Sequence, residues 1–148
     1  MLAPIIDDAH LIDLHDLRRL RLLLEDFPKN HNLVLIAQPG LLTNLALTPN
    51  HDIQSRVTYS VLVPRLTSDD LERFIHRELD AVTLPHATFT AEAFSLVVRA
   101  SEGYLRRARN LCVGSLFEAV RDRTRTVDLK QVNRVLLQPH WRERQATP

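Results

Sequence analysis

Apolar positions along the chain change their spacing once, near residue 64, and that change separates two kinds of structure. Residues 3–7 (APIID) form a short apolar run ending in acid, which predicts a buried strand of a parallel sheet. From 11 to 27 leucine recurs at helical spacing (Leu14, Leu17, Leu20, Leu24) with charges between, until Pro28 stops the pattern. This predicts an amphipathic helix packed on the sheet. Residues 33–37 (LVLIA) predict a second buried strand, closed by Gln38, Pro39 and Gly40, and a short helix over 41–47 follows before Pro49. A third strand is expected at 59–63, ended by Pro64. Strand, helix, strand, helix, strand is the order of a parallel α/β sheet.

From residue 65 the strand signals stop and helix starts recur. Thr67 is placed to cap a helix with Asp70 in its first turn, and Leu66 and Leu71 occupy the positions of a hydrophobic staple. Thr90 repeats the device, with Phe89 and Phe94 as the staple, and Gly103 is placed to end that helix in a left-handed conformation. Further helices are expected over 104–123 and 128–137, the last before Pro139. Four helices with short connections make a small bundle. The fold class read here is α/β followed by all-α: residues 1–64 as an α/β part, 65–138 as a helical domain, and 139–148 as a basic tail.

Composition narrows this little, except for charge and cysteine. The 148 residues are 45% hydrophobic with few aromatics, which suits a soluble globular chain able to bury a real core. There is no run of about 18 apolar residues and no signal-peptide pattern at the start, so a cytoplasmic protein without a membrane segment is expected. Cys112 is the single cysteine and lies in an apolar helical pattern, which favours a buried thiol and excludes an internal disulfide. Residues 1–98 hold 8 Lys+Arg against 13 Asp+Glu, a net of −5, while residues 99–148 hold 11 against 5, a net of +6. Only Lys29 and Lys130 are lysines, and arginine's planar fork suits phosphate. Two readings of the basic third stay open: a solvated helix face, or a surface for nucleic acid or an acidic partner. The seven histidines have no metal-ligand spacing, and no zinc site is read. Trp141 lies beyond the last helix, either packed on the bundle or available for stacking on a base or partner.

The segment that carries chemistry is IIDDAH, residues 5–10. Two adjacent acids at the carboxyl end of a strand can hold a magnesium ion and orient the attacking water of a nucleotide hydrolysis. Two acids after a strand also serve as helix N-caps, and Asp8 precedes a helix.

The order of elements resembles the AAA+ ATPases, and within them the bacterial ExeA-type ATPases and the ATP-binding helper proteins of DNA transposons. The segments that carry the likeness are IIDDAH, LRRLRLLLEDF, LVLIAQPGLL, QSRV and SEGYLRRARNLC, and together they cover nearly the whole chain. The resemblance implies a partial parallel-sheet core followed by a four-helix lid, with ATP and Mg as cofactors. It implies Asp7 as the metal-binding acid, Asp8 as the water-orienting acid and Gln38 as a polar sensor of the terminal phosphate or the lytic water. Arg56 matches an arginine that reaches a neighbouring subunit's nucleotide, and Arg106 a lid arginine that senses nucleotide state. Arg107 and Arg109 read as a solvated face or a partner surface.

Two departures from that pattern matter. The family mostly has glutamate where Asp8 stands, one methylene longer, which implies slow or altered hydrolysis. No G-x-x-x-x-G-K-[ST] occurs; Gly40, Gly103 and Gly114 are the only glycines, so the triphosphate has no cradle. Negligible ATP hydrolysis by this chain alone is therefore expected, as for a truncated gene product or a fragment. In the resembling fold the phosphate-loop strand lies between the second and third strands found here. Its absence would expose strand edges, and a homo-oligomer or domain-swapped dimer is expected to cover them. The biological readings are a DNA-transposition helper acting with DNA and a transposase, a general secretion pathway ATPase, or a non-catalytic interaction module.

Overall fold

The computed structural model describes residues 3–25 and 32–142, and it divides at Val63/Pro64 into two compact units. In the first, β1 (Ile5–Ile6) pairs in parallel with β2 (Val34–Leu35), Ile5 opposite Val34 and Ile6 opposite Leu35. The ladder runs one residue further at each end, where the Val34 amide donates to the Pro4 carbonyl at 2.9 Å and the Ile36 amide to the Ile6 carbonyl at 2.8 Å. Parallel strands need a crossover, and α1 (Leu14–Glu25) supplies it. Asp13 starts that helix by accepting the Asp16 amide at 2.7 Å, an N-cap that satisfies one of its orphan donors. The predicted stop at Pro28 lies outside the described residues.

After β2 come α2 (Gly40–Leu45), a 3-10 turn (Thr48–Asn50) and α3 (His51–Gln54). Ala9, Leu17, Leu41 and Leu45 form the core of this unit, with Ile6, Ile12, Leu35 and Ile53 packed against it. Full burial of a leucine contributes about 1.5–3 kcal/mol. Arg18 donates to the Pro49 carbonyl, and the Asn50 side-chain amide to the Asn44 carbonyl at 2.7 Å, so the 3-10 turn is tied on both sides.

The expected strand at 59–63 does not form. Among the described residues the sheet has two strands, and residues 57–63 carry no regular structure. Tyr59, Val61, Leu62 and Val63 are 67–85% exposed. A β-strand exists only where another strand takes its amides and carbonyls, and local β-propensity cannot supply one.

The second unit is helical. Its longer helices are α4 (Ser68–Ala81), α5 (Ala91–Ser101), α6 (Leu105–Arg121) and α7 (Leu129–Leu136), followed by the short α8 (Pro139–Arg142). Thr67 Oγ1 accepts the Asp70 amide at 3.2 Å, and Thr90 Oγ1 accepts the Ala93 amide at 3.3 Å. Asp128 and Gln131 form a reciprocal capping box on α7. Leu71, Ile75 and Leu79 of α4 meet Val97, Leu111, Val132 and Val135 in one core. Gly114 lets α6 and α7 approach, since a Cβ there would stand 3.0 Å from Val135 Cγ1. The chain leaves α5 through two left-handed residues, Glu102 at φ 52° and Gly103 at φ 79°, so the termination expected of Gly103 begins one residue earlier.

A parallel bridge between Phe89 and Val127 joins the approaches to α5 and α7, which single-residue pairing hides from any periodicity. Trp141 packs against the helical core. Cys112 is largely buried, and burial pushes its thiol up to about 12, so it is not a reactive thiolate at neutral pH. Among the described residues no helix is long and apolar enough to cross a membrane.

One polar network joins α6 to α7. Arg134 Nη1 donates to Asp122 Oδ1 at 2.7 Å and to Glu118 Oε2 at 3.2 Å, while Gln131 Nε2 donates to Asp122 Oδ2 at 3.0 Å. The Arg134 guanidinium, followed by Lys130 and Gln131, holds the Asp122 carboxyl below its ordinary value of 3.8. A carboxyl lowered by folding stabilises the folded state above the ordinary value, and that contribution disappears as pH falls through the lowered one. Asp122→Asn should therefore reduce the melting temperature of the helical unit near pH 6, and the two proteins' melting curves should converge as the pH falls well below 3.8. A constant offset at every pH, in calorimetric scans across that range, would show that Asp122 acts by packing alone.

Candidate functional site

In the α/β unit the two chemistry-bearing segments meet at one end of the sheet. β1 and β2 are parallel, so the residues after Ile6 and after Leu35 leave the sheet on the same side. Asp7 and Asp8 follow β1; Ile36, Ala37 and Gln38 follow β2. The Ala9 amide donates to the Ile36 carbonyl at 2.9 Å, which docks the turn after the two acids onto the end of β2. The Gln38 amide lies 3.5 Å from His10 Nδ1, a long hydrogen bond that brings the glutamine's backbone to the same lip.

Asp8 stands in the left-handed region at φ 52°, ψ 33°. That conformation is uncommon for a non-glycine residue, although aspartate tolerates it better than most. It turns the chain sharply out of β1 into a short 3-10 helix (Ala9–Leu11), and Asp7 supports the turn by accepting the Asp8 amide on Oδ1 at 2.8 Å. Asp8 itself makes no side-chain cap, so the N-cap reading of this residue is not realised; Asp13 caps α1 instead. The Asp8 carboxylate is exposed and its Oδ1 lies 4.0 Å from His10 Nδ1.

Two exposed carboxylates at a strand end are hard oxygen donors of the kind magnesium takes, with water filling its other positions. They fit the metal. The triphosphate is different: Gly40 opens α2, Gly103 and Gly114 belong to the helical unit, and no glycine-rich loop exists to cradle phosphates. The residues present thus include oxygen donors of the kind the ion takes and no cradle for the nucleotide's phosphates.

Arg56 is also in the α/β unit, in the turn after α3, with its amide donating to the Ile53 carbonyl at 3.0 Å; it is not at a strand edge. Arg106 belongs to the helical unit, exposed in the first turn of α6. The structure therefore gathers Asp7, Asp8 and Gln38 at one sheet end and places Arg56 and Arg106 on other elements. Arg107 is not the solvated side chain expected. It is half-buried, pairs with Glu102 at 2.8 Å and lies over the Trp141 ring at 5.3 Å. Its place was legible: Arg107 precedes buried Leu111 by four residues, on the core side of α6. Arg109 is exposed and donates from Nε to Glu78 at 2.9 Å. His10 closes the IIDDAH segment, but its contact with Gln38, 28 residues away, is not written in the local sequence.

Among solved structures, the chain is similar to a mutant form of Thermotoga maritima RuvB, with a TM-score of 0.65 at 18% sequence identity. The match covers 90% of this chain and 43% of that chain, so the chain spans less than half of that protein's length. At this identity the likeness shows the fold alone. No protein-family model matches the chain, and no curated protein does.

Proposed function

We propose that this chain is the C-terminal part of a AAA+ ATPase, contributing the acidic pair, the polar sensor and the helical lid to a nucleotide site whose phosphate-binding loop lies on another segment. The observation that carries this reading is the convergence of Asp7, Asp8 and Gln38 at one end of a parallel strand pair, held by the Ala9 to Ile36 hydrogen bond. Asp7 would hold the metal, Asp8 would orient the attacking water, and the Gln38 side chain would bind beside them. Magnesium, when bound, would neutralise charge on the phosphates. Arg56 and Arg106 would add positive charge through assembly with a neighbouring subunit and through lid position, respectively. By itself the chain hydrolyses ATP negligibly.

The same reading explains the residues at 57–63. β2 pairs on one edge only among the described residues, and 57–63 is mostly apolar and exposed. A strand inserted beside β2, from another chain or a domain swap, would let 57–63 pair as well. The net positive charge of the last third of the sequence supports DNA, with a transposase, as the partner of the assembled protein.

Amide NMR of this chain tests the site. Added Mn²⁺ should broaden the Asp7, Asp8 and Gln38 amides together, and Asp7→Asn should abolish the effect, while a fluorescent ATP analogue should fail to bind at micromolar concentration. Broadening that spares Gln38 would remove the shared site, and tight analogue binding would overturn the need for a loop from elsewhere.

A further inference from the structure

One face of α6 is left uncovered within the helical unit. Val113, Phe117 and Val120 are 45%, 71% and 72% exposed and recur at i, i+4 and i+7, which aligns them along the helix opposite buried Leu111 and Ser115. Arg106 and Arg109 precede this stripe on the same face. Arg121 closes it, and Arg123 and Arg125 follow just beyond the helix end. The stripe itself spans about 10 Å, and Arg106 to Arg121 about 22 Å, at 1.5 Å per helical residue. No acid of α6 falls in the apolar row: its one acid, Glu118, is turned toward Arg134 at 3.2 Å. Glu78 and Glu118 partly neutralise Arg109 and Arg121, while Arg106, Arg123 and Arg125 have no carboxylate partner among the described residues.

We infer that this face of α6 docks an acidic amphipathic helix of a partner protein, one with aliphatic side chains at helical spacing and carboxylates beyond both ends of that apolar row. A helix laid on a helix covers a narrow apolar stripe, and the terminal carboxylates meet the arginines. Charge argues against a second copy of α6 as the occupant. Paired in either direction, two such faces bring arginines against arginines at both ends, and Glu78 and Glu118 offset only Arg109 and Arg121. Nucleic acid would satisfy the arginines and leave Phe117 and Val120, the most exposed of the three, facing phosphate or water.

The probe is a labelled helical peptide of about 20 residues, with three leucines at i, i+4 and i+7 and glutamates at both ends, compared with the same peptide carrying lysines. Titrated with the whole chain, the glutamate peptide should show a rise in fluorescence anisotropy at micromolar concentration and bind about tenfold more tightly than the lysine peptide, or better. Phe117→Ser should weaken it about tenfold, and Arg121→Glu with Arg125→Glu should remove most of the preference for the glutamate peptide. Because all three side chains are exposed, far-UV circular dichroism should show these variants folded. Equal binding of the two peptides, binding of neither, or indifference to Phe117→Ser overturns the inference. So does self-association of the chain, or duplex DNA binding, that Phe117→Ser abolishes.

Discussion

Leu111→Ala is expected to destabilise the helical unit by about 3–4 kcal/mol, enough to leave a small domain marginal. Leu111 is fully buried near the middle of α6, in the core shared with Leu71, Ile75, Val97, Val132 and Val135. Truncation removes the transfer free energy of three carbons and leaves a cavity, and side chains supplied by several helices collapse into it only in part. Trp141 is the only tryptophan and packs on this core, so its fluorescence in urea reports the unfolding of this unit alone. Leu111→Met, which nearly conserves volume, should cost less than about 1.5 kcal/mol. A loss below about 1 kcal/mol for the alanine variant would mean that the site relaxes around the gap and that α6 is not the centre of the unit.

The second large effect is expected at Gly103. Its φ of +79° lies where a side chain is strained, and a Cβ there would stand 2.6 Å from the Leu66 carbonyl oxygen and 2.8 Å from Arg65 Cβ. Backbone meets backbone here. The Leu66 amide donates to the Gly103 carbonyl at 3.1 Å, binding the segment before α4 to the turn between α5 and α6, and Arg65 lies over the Tyr104 ring at 4.5 Å. An added methyl must both occupy the left-handed region and push this segment away, so Gly103→Ala should cost at least about 2 kcal/mol. Gly40 is the control: a Cβ at that position meets nothing within 4 Å, and Gly40→Ala should be close to neutral. Should Gly103→Ala unfold at the same urea concentration as the parent, the contact with Leu66 would not contribute to stability. Gly103 also lies three residues before Arg106, so the same change should shift the first turn of α6 and its amide resonances.

How much of the fold is readable from residue order depends on the range of the interaction concerned. Thr67 and Thr90 bond to amides three residues on, and Asp128 exchanges bonds with Gln131, so those helix starts are written within single turns of sequence. The apolar rows behind them, Leu71, Ile75 and Leu79 in α4 for example, repeat at four-residue spacing and point to the core in the structure. Asp13, in contrast, is masked as the cap of α1 by the stronger pattern of two adjacent acids, which points to Asp8. The left-handed backbone of Asp8 has no sequence signal, since glycine was not required there and the turn is held by the Ile36 carbonyl just after β2.

The chain's residue order alone determined that an α/β segment precedes a helical one, where the helices of the second unit begin, and that Asp7, Asp8 and Gln38 each follow an apolar run; these depend on side-chain period and on bonds closed within a few residues. Folding in three dimensions settled that the two acids and Gln38 share one sheet end, that His10 joins them, that Arg107 turns inward beside Trp141, and that 59–63 remains unpaired. Each of those outcomes requires a partner distant along the chain, and a residue's own neighbourhood carries no record of which distant group will meet it.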